Sequence, residues 1–152
     1  MSGPGTFRAV TNGIHVEATP LLIPEQCILN PPRYFYAYRV RMWSPEGSGV
    51  APCQLKSRRW VIHRGANLAP EIVEGDGVIG LYPKIKEGCE VFEYCSCTHY
   101  TTTYGTMEGS FTMVPGTLRN PRPGEAPFDV TVPRFLCTYD IETILKNTRL
   151  HN

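Results

Sequence analysis

The sequence has no uninterrupted apolar run that could cross a membrane. Hydrophobic residues make up 41% of the 152-residue chain, but no stretch reaches the roughly 18 consecutive apolar residues of a membrane-spanning helix. The first residues also lack the charged segment followed by an apolar segment that marks a secretory leader. We therefore expect an intracellular protein without a membrane partner, in the cytoplasm, with a mitochondrial location left open.

The sequence also lacks the paired cysteine spacing of a structural zinc site. Cys95, Cys97 and His99 alternate within one stretch, but no second close pair completes a tetrahedral set. Adjacency in sequence does not make a nucleophilic cysteine–histidine pair either, because such a pair is defined by its geometry. Without a leader, all six cysteines are expected to be reduced thiols. The sequence predicts no metal site and no cofactor.

No catalytic triad, Walker motif or paired-carboxylate arrangement is present. Gly75–Gly80 matches the spacing G-x-G-x-x-G, but a dinucleotide site needs this motif between a strand and a helix. Pro83 would interrupt such a helix, and no alternation of strands and helices surrounds the motif. The glycines are therefore expected to supply positive φ angles in an exposed loop. As an alternative, their amides could form a nest of donors for an anion.

What the sequence has in quantity is alternation of apolar and polar residues. Fourteen glycines and fourteen prolines, scattered along the chain, suit short strands joined by frequent turns. The pattern predicts an all-β sandwich of about seven antiparallel strands. Its inward sets are Tyr34/Tyr36/Tyr38/Val40/Met42, Trp60/Ile62, Phe92/Tyr94, Phe111/Met113 and Phe128/Val130/Val132. Residues 1–8 are expected to be a flexible N-terminus, residues 9–138 the sandwich, and residues 139–152 a helical tail.

Charge is unevenly distributed although the net charge is only +1. From Arg33 to Arg64 there are seven basic residues and one acidic residue, a balance of 7 − 1 = +6. From Gly65 to Ser110 there are two basic and seven acidic residues, a balance of 2 − 7 = −5. Neighbouring strands could neutralise each other, or the basic segment could form a face for an anionic ligand.

Several segments together resemble the ApaG domain family. The matching segments are Glu74–Gly80 followed by Pro83, Phe92–Tyr94 with Ser96 and Cys97, Gly105–Phe111, Phe128–Val130 and Val132–Phe135. Pro31–Arg41 and Cys53–Trp60 are more similar to the ApaG domain of eukaryotic F-box proteins than to the stand-alone bacterial form. The resemblance implies a fibronectin-III-like or immunoglobulin-like sandwich. It also implies a partner-recognition role for the eukaryotic relatives, and in bacteria an association with diadenosine-polyphosphate metabolism and cobalt or magnesium resistance, without an established catalytic residue.

These observations favour a non-catalytic binding module with a protein partner. We expect the glycine-rich loop and the neighbouring threonine-rich strand end to form its recognition site at one end of the sandwich. The first alternative is a binder of pyrophosphate or a nucleotide at the glycine-rich segment, and the second is a phosphohydrolase. Nucleic acid is not an expected partner, because the net charge is near zero, and a homodimer is left open. The candidate binding residues are Gly75, Gly77, Gly80, Thr98, Thr101, Gly105, Thr106, Glu108, Arg39 and Arg41.

Overall fold

The structure is a computed structural model that describes residues 5–65 and 67–138. It contains the strands β1 (Phe7–Thr11), β2 (Ile14–Leu22), β3 (Ile28–Leu29), β4 (Pro32–Trp43), β5 (Cys53–His63), β6 (Glu71–Asp76), β7 (Lys84–Ile85), β8 (Phe92–Tyr100), β9 (Tyr104–Pro115) and β10 (Phe128–Thr138). A 3-10 helix at Pro24–Gln26 is the single helical element of these residues. Three of the ten strands have five residues or fewer, and the seven longer strands agree with the predicted number. Strand β6 was not among the strands that the alternation indicated.

The strands form two antiparallel sheets packed as a sandwich. In the first sheet β1, β2 and β4 are neighbours, β8 pairs with the other side of β4, and β3 pairs with the start of β4. In the second sheet the order is β10-β9-β5-β6, and β7 pairs with the first residues of β5. The predicted all-β sandwich is confirmed.

The core lies between the sheets and uses the predicted inward positions. Alternate residues of β4 from Tyr34 to Met42 are buried, as are Trp60 and Ile62 in β5. Phe92 and Phe128, also predicted to point inward, are only half-buried at the margin of the core. Tyr36, Tyr100, Phe111 and Phe135 are the largest fully buried side chains. Aromatic residues therefore supply much of the apolar area that holds the two sheets together.

The structure moves the predicted N-terminal boundary of the domain and does not describe the predicted C-terminal tail. Strand β1 begins at Phe7, two residues before the expected start of the sandwich, and pairs with β2 up to Thr11. The expected C-terminal helix in residues 139–152 lies outside the described residues. Within the described part of the chain, no helix is long and apolar enough to span a membrane.

The six cysteines are all free thiols in the described structure. Cys53 and Cys137 are buried, and burial raises the pKa of each thiol to about 11. Because the thiolate is the reactive form, these two residues behave as small apolar core residues. Cys95 and Cys97 are exposed on β8.

Candidate functional site

Along each side of the sandwich an edge strand of one sheet faces an edge strand of the other. Contacts between the edge strands close one of these sides, and the other side is open. On one side β10 of the second sheet lies beside β1, and the Thr131 N–H donates to Thr11 Oγ1 over 3.0 Å. On the other side, β8 and β6 are the terminal strands of their sheets. A cleft of about 290 Å³ opens between them and is called here the seam cleft. Its lining residues are Tyr38, Arg58, Trp60, Ile62, Arg64, Val73, Ser96, Cys97, Thr98, His99 and Met107.

Apolar and hydroxyl groups form the interior of the seam cleft. Tyr38 and Trp60 are both buried and meet edge to face, with ring centroids 5.6 Å apart. Burial raises the pKa of Tyr38, and a hydrogen bond that its phenol oxygen accepts from the Ser96 side chain of β8 partly opposes this rise. The phenol therefore stays neutral near pH 7, and the cleft combines an aromatic floor with hydroxyl groups.

Arg58 places a positive charge at the cleft. It lies on the same alternating face of β5 as Trp60, and its Nη1 donates to the carbonyls of Asp76 (3.0 Å) and Gly77 (2.9 Å). The guanidinium covers Gly75, where an added Cβ would lie 2.7 Å from Nη1. No carboxylate within the described residues pairs with Arg58, whereas Arg59 on the opposite face pairs with Glu74 at 3.1 Å. Arg58 therefore keeps the Nε and Nη2 donors for a ligand.

Arg64 and His99 form the other end of the cleft. The Arg64 side chain donates to the backbone carbonyl of His99, pairs with Glu71 at 2.7 Å, and lies over the Tyr100 ring. Burial and the charges of Arg64 and Arg33 lower the pKa of His99 below the usual value of 6.5, with Glu71 opposing the shift. His99 is thus neutral near pH 7.

We expect the His99 imidazole to titrate at a pH below 6.5 in the folded chain. Since the unfolded chain takes up this proton at higher pH, the contribution of His99 to stability falls as the pH decreases from 6.5 toward the folded pKa. Proton NMR of the imidazole across pH 4.5–8 measures the midpoint. Arg64→Gln should move it upward, because one of the opposing cations is removed. A midpoint that does not respond to this substitution would contradict the assignment.

The glycine-rich segment forms the end of a strand and a tight turn. Gly75 and Asp76 belong to β6, so the expectation that Gly75 lies in a loop is wrong for this residue. Gly77 and Gly80 do have positive φ angles, of 63° and 76°. The Gly77 N–H donates to the Lys56 carbonyl, and Val78 and Leu81 exchange N–H···O bonds of 2.9 and 2.8 Å. These three amides already have backbone acceptors, which leaves few donors for an anion nest.

The threonine-rich segment lies far from the glycine-rich turn. Thr102 donates to the carbonyl of Arg64, whereas Gly77 contacts Lys56 at the other end of β5. Eight residues of extended strand separate these two anchors, a distance of roughly 25 Å. The structure therefore does not bring together the two segments from which the sequence predicts one recognition end.

The other candidate residues are distributed over several surfaces. Thr98 lines the seam cleft, and Thr101 lies in the exposed β8–β9 turn. Thr106 is fully buried, and Gly105 is buried where a Cβ would meet the Tyr100 ring at 2.2 Å. Glu108 lies on the outer face of β9, 3.5 Å from His63.

Arg39 and Arg41 lie on the outer face of the first sheet, where acidic residues surround them. Arg41 lies 3.3 Å from Glu93 and 3.6 Å from Glu17, and Arg39 lies 3.9 Å from Glu93. These two arginines of β4 are thus paired with its neighbours. In the second sheet Arg59 of β5, and Arg64 directly after it, are paired with Glu74 and Glu71 of β6. Strand pairing accounts for most of the charge asymmetry in the sequence.

A second concavity lies on the outer face of the second sheet and is called here the outer groove. It has a volume of about 410 Å³ and is lined by Ser57, Arg58, Arg59, Glu74, Gly75, Asp76, Ser110, Thr112 and Asp129. Its polar groups largely satisfy one another, since Arg59 pairs with Glu74 and Thr112 donates to Asp129 over 2.7 Å. No group of three potential metal ligands occurs in residues 5–65 and 67–138.

Sequence reasoning identified Thr98 but missed the cationic residues of the seam cleft. Arg58 shares the inward face of β5 with Trp60 and Ile62, and a charged residue at an inward position of an alternating strand was the available signal. The strand order decides which edge strands of the two sheets face each other. The alternation of apolar and polar residues does not reveal this order, so the cleft itself could not be predicted.

Comparisons with known proteins place this geometry in a family. The sequence model of the ApaG domain matches residues 24–115. The chain is 45% identical over 135 residues to F-box protein SKIP16 of Arabidopsis thaliana, covering 84% of the chain and 30% of that protein. It is 41% identical over 105 residues to F-box only protein 3 of Homo sapiens, covering 68% of the chain and 22% of that protein.

Bacterial relatives match over nearly their whole length. Protein ApaG of Bradyrhizobium sp. (strain ORS 278) is 39% identical over 129 residues, which cover 85% of the chain and 90% of that protein. A crystal structure titled as an ApaA protein of Bordetella pertussis has a TM-score of 0.69 and 34% identity, covering 82% of this chain and 92% of that one.

The matches with the F-box relatives span less than a third of the length of those proteins. The predicted resemblance is confirmed, and the eukaryotic F-box proteins match the chain at similar or higher identity than the bacterial proteins. With its antiparallel sandwich and its matched residues 24–115, the chain belongs to the ApaG domain family.

Proposed function

We propose that this chain is a non-catalytic protein-binding module and that the seam cleft is its binding site. One observation carries the proposal: the open side of the sandwich combines Trp60, Tyr38 and a guanidinium without a carboxylate partner in a single cleft. Arginine is one of the residues that most often dominate the free energy of protein–protein binding. Trp60 and Tyr38 belong to the core and form the aromatic floor beside this guanidinium. The sequence similarity to F-box proteins supports the same proposal, because it suggests protein partners.

The seam cleft is favoured over the larger outer groove because of its charges. Arg58 lines both concavities, but the outer groove also contains the Glu74, Asp76 and Asp129 carboxylates, and its other arginine, Arg59, is already paired with Glu74. In the seam cleft the lining carries Arg58 and Arg64 and no carboxylate. Arg64 is paired with Glu71, so within the described residues Arg58 is the cation of the cleft that has no carboxylate partner. An unpaired charge gains more from a binding partner than a charge that is already paired.

Two serine substitutions separate the two surfaces. Ser96→Glu places a carboxylate in the seam cleft, and Ser110→Glu places the same group in the outer groove. Both serines are half-buried, so the two variants are matched in residue type, charge and exposure. We expect proteins captured from a cell extract by the wild-type chain to bind Ser110→Glu within about twofold and to lose at least 90% of binding to Ser96→Glu. Quantitative mass spectrometry of the captured fractions measures this.

Thermal unfolding of each variant provides the folding control, and a melting temperature near that of the wild type is required before the captures are compared. Equal capture by Ser96→Glu and the wild type would reject the seam cleft as the binding site. If Ser110→Glu lost captured proteins and Ser96→Glu did not, the outer groove would be the binding site instead.

Binding of pyrophosphate or a nucleotide is the second candidate function. The Nε and Nη2 donors of Arg58 favour it, since an arginine edge binds phosphate as readily as carboxylate. The glycine-rich turn does not favour it, because the amides of Gly77, Val78 and Leu81 already donate to backbone carbonyls. We therefore favour protein binding over the binding of pyrophosphate or a nucleotide.

A further inference from the structure

We infer that the partner enters as an extended segment that adds to the free edge of β8 and places an acidic side chain on Arg58. This inference rests on the proposed function and specifies the shape and charge of the partner. It is built from three features: the backbone of β8, the residues along its edge, and the donors left on Arg58.

Strand β8 has the backbone of a regular terminal strand. It pairs with β4 without a register shift from Phe92 to Tyr100. The His99 carbonyl accepts a hydrogen bond from Arg64, a residue of the other sheet, so it points away from β4. In an antiparallel strand the backbone groups of every second residue point the same way. The N–H and C=O groups of Cys95 and Cys97 are therefore directed to the open edge.

The residues of this edge do not discourage pairing. Proteins protect terminal strands with lysine, proline, bulges or inward-pointing charges. Between Tyr94 and Thr98, β8 carries no charged residue and no proline, and its pairing with β4 has no bulge. The opposite edge, β6, carries the carboxylates of Glu71, Glu74 and Asp76. Glu71 and Glu74 are paired with arginines, but Asp76 has no cation partner among the described residues and repels an acidic segment. An acidic strand is thus directed to β8.

Arg58 then selects the side chain that such a strand presents. Side chains of an added strand alternate between the outer face of the sheet and the inner face, which meets the seam cleft. Nη1 of Arg58 is used by the carbonyls of Asp76 and Gly77, while Nε and Nη2 form the edge that a carboxylate binds through two parallel hydrogen bonds. An Asp or Glu at an inner position satisfies this edge, with apolar residues two positions away near Trp60 and Val73.

A phage library of random ten-residue peptides, selected on the full chain, tests the inference without a known partner. We expect the enriched peptides to share an Asp or Glu at one fixed position, with apolar residues at spacings of two. Synthetic copies should bind Arg58→Gln at least tenfold more weakly than the wild type in fluorescence anisotropy. Arg58 lines both concavities, whereas Arg59 lines the outer groove and not the seam cleft. Arg59→Gln is therefore the matched control, since a peptide in the outer groove would lose affinity with both variants, and we expect it to change binding less than twofold.

Because Arg58 also holds the turn at Gly77, an Arg64→Gln variant provides a second test. This substitution removes the cation that is paired with Glu71 at the other end of the cleft, and the Glu71 carboxylate left behind should weaken binding of an acidic peptide severalfold. Methylating the alternate backbone amides of an enriched peptide should abolish binding, because strand addition requires these donors.

Several results would overturn the inference. One is enrichment of peptides whose apolar residues recur every three or four positions, as in a helix. Others are enrichment of basic or neutral peptides, equal affinity of a peptide for Arg58→Gln and the wild type, or no enrichment at all. If capture of whole proteins still depended on Ser96 in any of these cases, the seam cleft would remain the binding site and only the acidic strand would be rejected. If neither peptide binding nor the capture of whole proteins depended on residues of the seam cleft, the proposed function itself would be rejected.

Discussion

Replacing Trp60 by alanine lowers the free energy of unfolding by about 3–5 kcal/mol, the usual range for removing a large buried aromatic side chain. Trp60 is 4% exposed and joins the two sheets. Its ring meets Tyr38 of the first sheet at 5.6 Å, and Phe111 and Phe135 of the second at 6.2 and 6.1 Å. Truncation removes these contacts and leaves a void that the rigid sheets cannot fill. Urea unfolding followed by circular dichroism measures the change.

Trp43 offers a matched control, since the chain has only two tryptophans. Trp43 lies half-buried on the outer face of β4, stacked on His15 at 5.2 Å, with the guanidinium groups of Arg8 and Arg41 at 5.4 and 5.9 Å. Exposed cation–π contacts contribute about 0.5–1 kcal/mol, so Trp43→Ala should cost much less than Trp60→Ala. Equal losses for the two variants would contradict the placement of the core.

Replacing Gly109 by alanine destabilises the chain by about 3 kcal/mol, at the upper end of the range for overpacked sites. Gly109 lies in β9 between Trp60 of β5 and Val132 of β10. A Cβ at this position would lie 2.0 Å from the backbone carbonyl oxygen of Arg59. A backbone atom held in a strand cannot move aside as a side chain can, so two central strands of the second sheet would have to separate.

Gly65→Ala is the control for this substitution. Gly65 lies outside the strands, and an added Cβ would make an ordinary contact of 3.5 Å with the Leu68 side chain. We expect a change within about 0.5 kcal/mol, as for most surface substitutions. If Gly109→Ala unfolded at the same urea concentration as Gly65→Ala, the tight approach of β5 and β9 would be refuted.

The fold could be predicted because alternation is a local property of the sequence. The buried alternate residues of β4 and the pair Trp60 and Ile62 were assigned correctly, since burial on one face of a strand requires a period of two. The glycine-rich segment was less predictable. Gly77 and Gly80 occupy positive φ angles as expected, but Gly75 is a strand residue whose missing side chain makes room for Arg58.

The site could not be predicted because it depends on contacts between distant strands. Arg58 and Ser96 are 38 positions apart in the sequence, and they meet only because β6 and β8 are both terminal strands on the same side of the sandwich. The charges of Arg39 and Arg41 were visible in the sequence, but their neutralisation by Glu93 depends on the register of β4 and β8. Strand order and register therefore decide which charges remain available to a partner.

Hydrogen–deuterium exchange of the chain, alone and bound to a protein captured through Ser96, tests the binding site most directly. The account predicts slower exchange of the Cys95 and Cys97 amides of β8 and of the segment around Arg58 in β5 when the partner is bound. The amides of Ser110 and Thr112 at the outer groove should exchange at the same rate in both states. Protection confined to the outer groove, with unchanged exchange along β8, would contradict the seam cleft as the binding site.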